Sequence, residues 1–173
     1  MLVNTEFRST ADEIMDDFAL EGDVLLDALD KIAKINKVLG GNKVTIEGLE
    51  TLFSQRKNRS EISILDVGCG NGDMLRTLAE YALEKGLTFR LVGMDANAFT
   101  IEYAKKLSQN YTNISYVCAD IFDEIKQECH YDVILCTLTL HHFRDEEILK
   151  LVTGFRKQAK MGIVINDLHR SKL

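Results

Sequence analysis

The sequence lacks several features that mark particular classes of protein. It contains no proline, although average usage would give about eight or nine in 173 residues. No apolar run approaches the roughly 18–20 residues of a membrane-spanning helix. The first residues, MLVNTEFRSTADE, have neither the basic start nor the apolar stretch of a secretory signal. A net charge of −6 provides no basic excess, which argues against a non-specific nucleic-acid-binding protein. The 46% apolar content is that of a globular chain with a real core, and the length is that of one domain with an appendage.

The four cysteines form no recognisable metal or disulfide pattern. Cys69, Cys118, Cys129 and Cys136 include no CxxC and no Cys/His pairing at zinc spacing, so we predict no metal site. Disulfide frameworks are typical of small secreted chains, and we see no export signal. We therefore expect four reduced thiols in a cytoplasmic protein.

The first part of the chain has a helical pattern. Apolar residues between positions 14 and 39 recur mostly at steps of three and four, which predicts amphipathic helices rather than strands. The predicted helices are a short one before Gly22, one over about residues 23–38 that ends at Gly40-Gly41, and one over about residues 46–55. We predict that residues 1–58 form a helical cap and that residues 59–173 form the main domain.

Beyond residue 60, short apolar runs alternate with helical stretches. The predicted strands are ISILDVG, FRLVGMD, ISYVCAD, YDVILCTLTL and GIVINDL, and EIKQE is predicted as a short helix or turn. Strands that alternate with helices predict βαβ units and a parallel sheet, and their near-continuous apolar character fits strands covered on both faces. The fold class is therefore α/β.

A glycine-rich loop, residues 66–73 (DVGCGNGD), follows the first strand. Glycines at alternate positions let the backbone turn sharply and approach a ligand, and ligands of open α/β sheets lie outside the carboxyl ends of the strands. The loop matches neither G-x-G-x-x-G nor the phosphate-binding P-loop. Asp66 and Asp73 would repel a pyrophosphate and favour a ligand with a positive centre and an amino group. A bare turn without a ligand is the alternative.

Two further acidic residues lie at strand ends. Asp95 ends the second strand 23 residues after Gly72, where a carboxylate can accept hydrogen bonds from both ribose hydroxyls. Asp120 follows the third strand, where it can accept from an adenine amino group while Ile121 or Phe122 packs on the ring. Each acid alone could be a helix N-cap or a solvated loop end. Acids at three successive strand ends favour a binding site.

The motif series ILDVGCGNGD, VGMDAN, CADIFD and YDVILCTLTLHHF resembles the class I S-adenosylmethionine-dependent methyltransferases over residues 61–173. It is most similar to small-molecule methyltransferases related to ubiquinone and menaquinone biosynthesis, and residues 11–41 resemble the N-terminal helices of one bacterial branch. The resemblance implies a Rossmann-like, mostly parallel sheet of order 3-2-1-4-5. It also implies methyl transfer from S-adenosylmethionine to an O, C or N atom of a small-molecule acceptor, with S-adenosylhomocysteine as product.

The same resemblance implies roles for individual residues. Asp66 would meet the amino group of the cofactor, the loop would line its methionine part, and Asp95 would hold the ribose. Asp120 and Ile121 would hold the adenine, and Thr137 or Leu138 would lie beneath the sulfonium. The full cofactor-binding set is Asp66, Gly68, Cys69, Gly70, Gly72, Asp95, Ala96, Asp120, Ile121, Thr137 and Leu138.

Two histidines follow the fourth strand, on the lip of the expected cleft. An imidazole near neutrality can remove a proton from a hydroxyl or an acidic carbon, so His141 is the first candidate base and His142 the second. The alternative is a segment leading into a helix, with one packed and one solvated imidazole. Asn166, Asp167 and His169 are expected at the same cleft mouth, the alternative being ordinary polar residues at a strand end.

The expected sheet is incomplete at one edge. Methyltransferases of this class usually continue with strands six and seven, whereas here only residues 169–173 follow the fifth strand. We therefore expect a truncated form whose open edge at residues 162–168 recruits a second copy. Two other functions stay open: a non-catalytic cofactor-binding or partner-interaction module, and a nicotinamide-dependent oxidoreductase, which the missing G-x-G-x-x-G disfavours.

Overall fold

The computed structural model describes residues 17–54, 61–126 and 130–168, which fold around a five-stranded sheet. The strands are β1 (Ile62–Val67), β2 (Phe89–Asp95), β3 (Ile114–Cys118), β4 (Tyr131–Thr137) and β5 (Ala159–Asn166). They lie in the order β3-β2-β1-β4-β5, and each neighbouring pair is parallel. The predicted fold class and strand order are confirmed.

Helices cover both faces of the sheet. They are α1 (Asp23–Val38), α2 (Gly41–Phe53), α3 (Asp73–Lys85), α4 (Ala98–Leu107), α5 (Ile121–Glu124) and α6 (Asp145–Gln158), with a 3-10 turn at Leu140–His142. Side chains of α2, α3 and α4 share one core with one face of the sheet, and those of α5 and α6 share a second core with the other face. This two-sided burial explains why all six residues of β1 are buried.

The helical segment differs from its prediction in two places. Helix α1 has the predicted bounds, but α2 begins at Gly41 rather than near Ile46. Gly40 alone makes the turn, because its φ of 81° is left-handed and its carbonyl already accepts the N–H of Val44. A short helix was expected before Gly22. Residues 1–16 lie outside the described residues, and residues 17–20 form a turn rather than a helix.

Several boundaries in the sheet domain also differ, among them the end of β4, which lies at Thr137 rather than at the predicted Leu140. A helix or turn was expected at EIKQE: residues 125 and 126 form a turn, and residues 127–128 lie outside the described residues. Helix α5 precedes this turn, because the Asp120 carboxylate caps it by accepting the N–H of Phe122 at 2.7 Å. Strand β5 begins at Ala159, three residues before the predicted start, and extends the pairing with β4 back to Tyr131.

Helix α2 packs directly on β5. Leu49 is fully buried in the core of that face, and Gly48 lies so close to Val164 that a Cβ would approach its Cγ1 to 2.8 Å. Helix α2 thus covers β5 on the face of the sheet where α3 and α4 also pack. Within the described ranges, no helix is both long and apolar enough to cross a membrane.

Candidate functional site

The glycine-rich loop folds back over the carboxyl ends of β1 and β2. The N–H groups of Gly68 and Cys69 both donate to the carbonyl of Met94 at 2.9 Å, which ties the loop to β2. Gly68, Gly70 and Gly72 have φ angles of 69°, 51° and 76°, a region that favours glycine. The backbone therefore turns sharply at the position that the sequence predicts.

The three glycines meet different surroundings. A Cβ at Gly68 would collide with Thr139, and one at Gly72 would collide with the Tyr116 hydroxyl, so protein packing requires glycine at both positions. At Gly70 the nearest atom is Leu29 Cδ2, at an ordinary 3.4 Å from such a Cβ. An added Cβ at Gly70 would therefore meet α1 at an ordinary contact distance, and the positive φ is what favours glycine there.

Asp95 holds this loop as well as facing the site. Its Oδ2 accepts the N–H of Gly70 at 3.1 Å and its Oδ1 accepts the N–H of Asn97 at 3.0 Å. Burial raises the pKa of Asp95, and these backbone hydrogen bonds partly offset that rise. Each carboxylate oxygen can accept a second hydrogen bond, so capacity for a ligand hydroxyl is retained. The sequence did not predict the loop-holding contact.

Asp66 is a buried acid whose hydrogen bonding is incomplete. Asp66 is only 2% exposed. Among the described residues, its Oδ1 has no hydrogen-bond partner. Burial, and secondarily the nearby charge of Asp95, raises the pKa of Asp66 to about 7. A buried oxygen without a partner is uncommon in folded proteins, and a cationic or amino donor would satisfy it.

Asp73, unlike Asp66, has a partner near each of its carboxylate oxygens. Its Oδ2 accepts from Asn42 Nδ2 on α2 at 2.8 Å, and its Oδ1 lies 4.0 Å from Arg76. The carboxylate anchors α2 to the start of α3, and its effect on a positively charged ligand stays a prediction.

The residues that follow β3 have three different environments. Asp120 is exposed and acts as the N-cap of α5. Ile121 is buried in the core beside Val67 and Met94, while Phe122 packs edge-to-face on Phe143 with ring centroids 5.5 Å apart.

The three cysteines within the described ranges have two kinds of environment, and Cys129 lies outside those ranges. Cys69 and Cys136 are buried near Asp66, and burial with that carboxylate raises the pKa of both thiols. Cys118 is exposed at the end of β3, with its Sγ 3.5 Å from the carbonyl of Ala96. The two buried cysteines are therefore protonated thiols rather than thiolates.

The end of β4 carries an unusual backbone. Thr137 Oγ1 is buried without a hydrogen-bond partner among the described residues, and Leu138 has a φ of 52°. Leu138 is the one non-glycine residue in the described ranges with positive φ, and its N–H donates to Asn166 at 2.8 Å. Such strained residues concentrate at functional sites.

The two histidines occupy the 3-10 turn after β4. His141 Nδ1 lies 2.7 Å from Asp167 Oδ1, and the ring centroids of His141 and His142 are 4.2 Å apart. His142 is near enough to Asp95 for its charge to lower the pKa of that carboxyl. The pairing with Asp167 was not predicted, although the adjacency of β4 and β5 in the predicted order was a signal for it.

Helix α1 lies over the glycine-rich loop. Asp30 Oδ1 accepts from Asn71 Nδ2 at 2.9 Å and Asp30 Oδ2 accepts from the Tyr103 hydroxyl at 2.8 Å. Asn97 Nδ2 donates to the carbonyl of Leu20 at 2.8 Å. No sequence signal identified these contacts. Within the described ranges, no cluster of three His, Cys, Asp or Glu could hold a metal ion.

Residues 64–162 match the protein family described as a methyltransferase domain. Over 150 residues the chain is 28% identical to a malonyl-[acyl-carrier protein] O-methyltransferase of Acetivibrio thermocellus, covering 82% of this chain and 48% of that protein. Over 127 residues it is 31% identical to a ubiquinone biosynthesis O-methyltransferase of Rickettsia felis, covering 72% of this chain and 48% of that protein. The chain spans about half the length of the curated relatives it matches.

Solved structures show the same fold. Magnesium protoporphyrin IX methyltransferase from Synechocystis PCC 6803 with bound S-adenosylmethionine superposes with a TM-score of 0.65 at 17% identity, covering 91% of this chain and 77% of that one. A TM-score of 0.64 at 25% identity is found with the plantazolicin methyltransferase BpumL in complex with a pentazolic desmethylPZN analog and S-adenosylhomocysteine. This superposition covers 83% of this chain and 53% of that one.

Proposed function

This chain belongs to the methyltransferase domain family, and from that premise we propose that it transfers the methyl group of S-adenosylmethionine to a small-molecule acceptor. The matched residues 64–162 include the glycine-rich loop, Asp66, Asp95 and all of β4. The observation that carries the proposal is the unsatisfied Oδ1 of Asp66, buried next to a loop of three left-handed glycines.

The residues present fit the methionine part of this cofactor. Its amino group is a donor of the kind that Asp66 Oδ1 lacks, and a charged donor would favour the ionised carboxylate. The loop from Gly68 to Gly72, in which Cys69 is buried, would line the rest of this part.

The residues beyond β2 and β3 fit the nucleoside part. Asp95 retains acceptor capacity for ribose hydroxyls, and Ala96 follows it at the same strand end. Asp120 is exposed and can accept from the adenine amino group while it caps α5. Ile121 would contribute apolar surface from the edge of the core.

The bound cofactor supplies an activated methyl group, so the chain has to align the acceptor and exclude water. Thr137 and Leu138 would lie beneath the reacting centre, where Thr137 Oγ1 lacks a hydrogen-bond partner among the described residues. We assign proton removal from the acceptor to His141, with His142 as the second candidate.

We further propose that residues 1–58 act as a cap over this site and that residues 59–173 hold the cofactor. The contacts of Asp30 with Asn71 and of Leu29 with the Gly70 region support this arrangement. The curated relatives named above carry O-methyltransferase names, so a hydroxyl or carboxyl oxygen is the first acceptor to test. A cytoplasmic location is part of the same proposal, as is self-association through the outer edge of β5.

Calorimetric titration tests the cofactor assignment. We expect S-adenosylmethionine and S-adenosylhomocysteine to bind and NAD not to bind. Failure of the first two to bind would remove the methyltransferase proposal. A screen of phenolic, quinone-like and fatty acceptors, read by the mass gain of one methyl group, then identifies the acceptor. Binding without methyl release over the whole panel would instead favour a non-catalytic module.

A further inference from the structure

Strand order brings two distant parts of the chain together at the rim of the site. Strands β4 and β5 are parallel neighbours in which Thr137 pairs with Asn166. The residues that follow the two strands therefore emerge side by side, and the N–H of Leu138 donates to the carbonyl of Asn166 at 2.8 Å. Asp167, the next residue of the chain, lies against the 3-10 turn that carries His141.

One carboxylate contacts His141 twice. Asp167 Oδ1 is 2.7 Å from Nδ1 of the ring, and Oδ2 accepts the backbone N–H of His141 at 3.2 Å. Oδ1 also accepts the N–H of Leu168 at 2.6 Å. The side chains of His141 and Asp167 are 18% and 16% exposed, so water competes little for the contact. Both the position and the rotation of the imidazole are restrained.

A carboxylate that only closed the turn would need the backbone contact alone. The additional ring contact has a chemical consequence, because an ionised carboxylate can only accept, so Nδ1 must carry the proton. Burial raises the pKa of Asp167, but the hydrogen bond from the His141 ring, the N–H groups of Leu168 and His141 and the charge of His141 together outweigh burial and hold the pKa below its ordinary value. The carboxylate is thus ionised at neutral pH, and Nε2 is the basic nitrogen of the neutral ring.

We propose that Asp167 is a positioning residue that holds His141 as its Nδ1–H tautomer and so makes Nε2 the base for an acceptor with a dissociable hydroxyl, phenolic or enolic. The inference rests on the proposed function. The hydroxyl proton passes to Nε2, the oxygen lone pair forms the bond to the methyl carbon, and the electron pair of the broken carbon–sulfur bond stays on sulfur. The imidazolium then returns its proton to solvent. A carboxylate acceptor is already ionised and would not need this pair.

Other charged groups surround the pair and enter its pH response. His142 stacks on His141 from the same turn, and Cys136 on β4 lies within the field of Asp167. Asp66 on β1 and Asp95 on β2 lie further along the same edge of the sheet, where Asp66 also acts on Cys136 and His142 acts on Asp95. From α2, Thr45 contributes only a neutral hydroxyl, which accepts from Asn166.

The test is nitrogen-15 NMR of the histidine rings in the full chain, with His141→Gln used to assign the His141 signals. We expect the parent protein to show the Nδ1–H tautomer at high pH, both alone and with S-adenosylhomocysteine added. In Asp167→Asn the ring should change toward the Nε2–H tautomer, and its titration midpoint should fall by roughly one pH unit because an opposite charge has been removed. Glu102→Gln, which removes an exposed carboxylate from α4, should change neither signal.

An Nε2–H tautomer in the parent protein would overturn the proposal without any need for a variant. A lower melting temperature in Asp167→Asn with an unchanged tautomer and midpoint would also overturn it, because that result describes a contact that only closes the turn. Neither measurement depends on methyl transfer. Failure of this inference is therefore distinguishable from failure of the proposed function, which is judged by cofactor binding.

Discussion

Asp30 on α1 accepts a hydrogen bond from the side chain of Asn71, so the cap helix is tied directly to the glycine-rich loop. The same carboxylate accepts from Tyr103 on α4, and it therefore joins the cap to two sides of the proposed cofactor site. If the proposed cofactor lies under α1, these contacts have to open before it can leave. The rate of release, more than the affinity, should report on them.

Replacement of Asp30 by alanine should speed the release of S-adenosylhomocysteine by roughly 5- to 30-fold, since two hydrogen bonds of about 0.5–1 kcal/mol each hold the cap closed. Stopped-flow displacement measures this rate. Asp27→Ala is the matched control, because Asp27 lies on the same helix and, among the described residues, forms its ion pair with the exposed Lys31. Equal release rates in the two variants would show that α1 does not gate the site.

Asp66 should make the protein less stable as pH rises. The folded protein holds this proton up to a pKa of about 7, whereas the unfolded chain releases it near 3.8. Between these values the folded state binds more protons, so its free energy of unfolding falls with rising pH, by about 4 kcal/mol at most. Asp66→Asn should remove this decline and raise the melting temperature at pH 8, with little change at pH 4.

The same variant should weaken cofactor binding, because a neutral amide cannot replace the carboxylate opposite an ammonium group. Stability and affinity should thus change in opposite directions. Thermal melts from pH 4 to 9 and calorimetry at pH 8 measure the two effects. The assignment of Asp66 would be contradicted if, at pH 8, Asp66→Asn were less stable than the parent protein and bound the cofactor as tightly.

Asp95→Ala should weaken binding of S-adenosylhomocysteine by about 1.5–3 kcal/mol, the scale of hydrogen bonds to a charged group. It should also lower stability, because Asp95 holds the N–H of Gly70. Asp120→Ala should cost about 1 kcal/mol of affinity, since apolar contacts with the adenine would persist. Calorimetry of both variants compares the two losses of affinity, of which the loss in Asp95→Ala should be the larger. Parental affinity in Asp95→Ala would refute the ribose assignment.

Gly72→Ala should be more destabilising than Gly86→Ala. Both glycines have positive φ, 76° and 63°, so each substitution strains the backbone by about 1–2 kcal/mol. Only at Gly72 does the added Cβ also meet a packed side chain, the Tyr116 hydroxyl, whereas nothing lies within 4 Å at Gly86. Urea unfolding of the two variants measures the difference, and equal losses would mean that Tyr116 moves aside freely.

His141→Ala should lower kcat by roughly 100-fold or more while leaving cofactor affinity unchanged, as expected for a base acting in the transition state. Adding Asp167→Asn to that variant should slow it no further, because Asp167 acts through the missing ring. Single-turnover assays with a hydroxyl acceptor found in the screen measure both rates. An undiminished rate in His141→Ala would remove the residue from the mechanism.

Features that depend on near neighbours in the chain could be predicted from the amino-acid sequence. Strand β2 has its predicted bounds, and the order of the five strands follows from the alternation of strands and helices together with the family resemblance. The left-handed glycines of the loop were also predictable, because glycine is the residue that adopts this backbone without strain. Asp120 capping α5 was foreseen as one of two alternatives.

Tertiary structure decided which polar groups meet. The contact of His141 with Asp167 joins residues 26 positions apart, and that of Asn71 with Asp30 joins residues 41 positions apart. Strand order places such residues near one another, but the direction of a side chain depends on rotamers that packing selects. The raised pKa of Asp66 has the same origin, because only the assembled sheet removes its carboxylate from water and leaves one oxygen without a partner among the described residues.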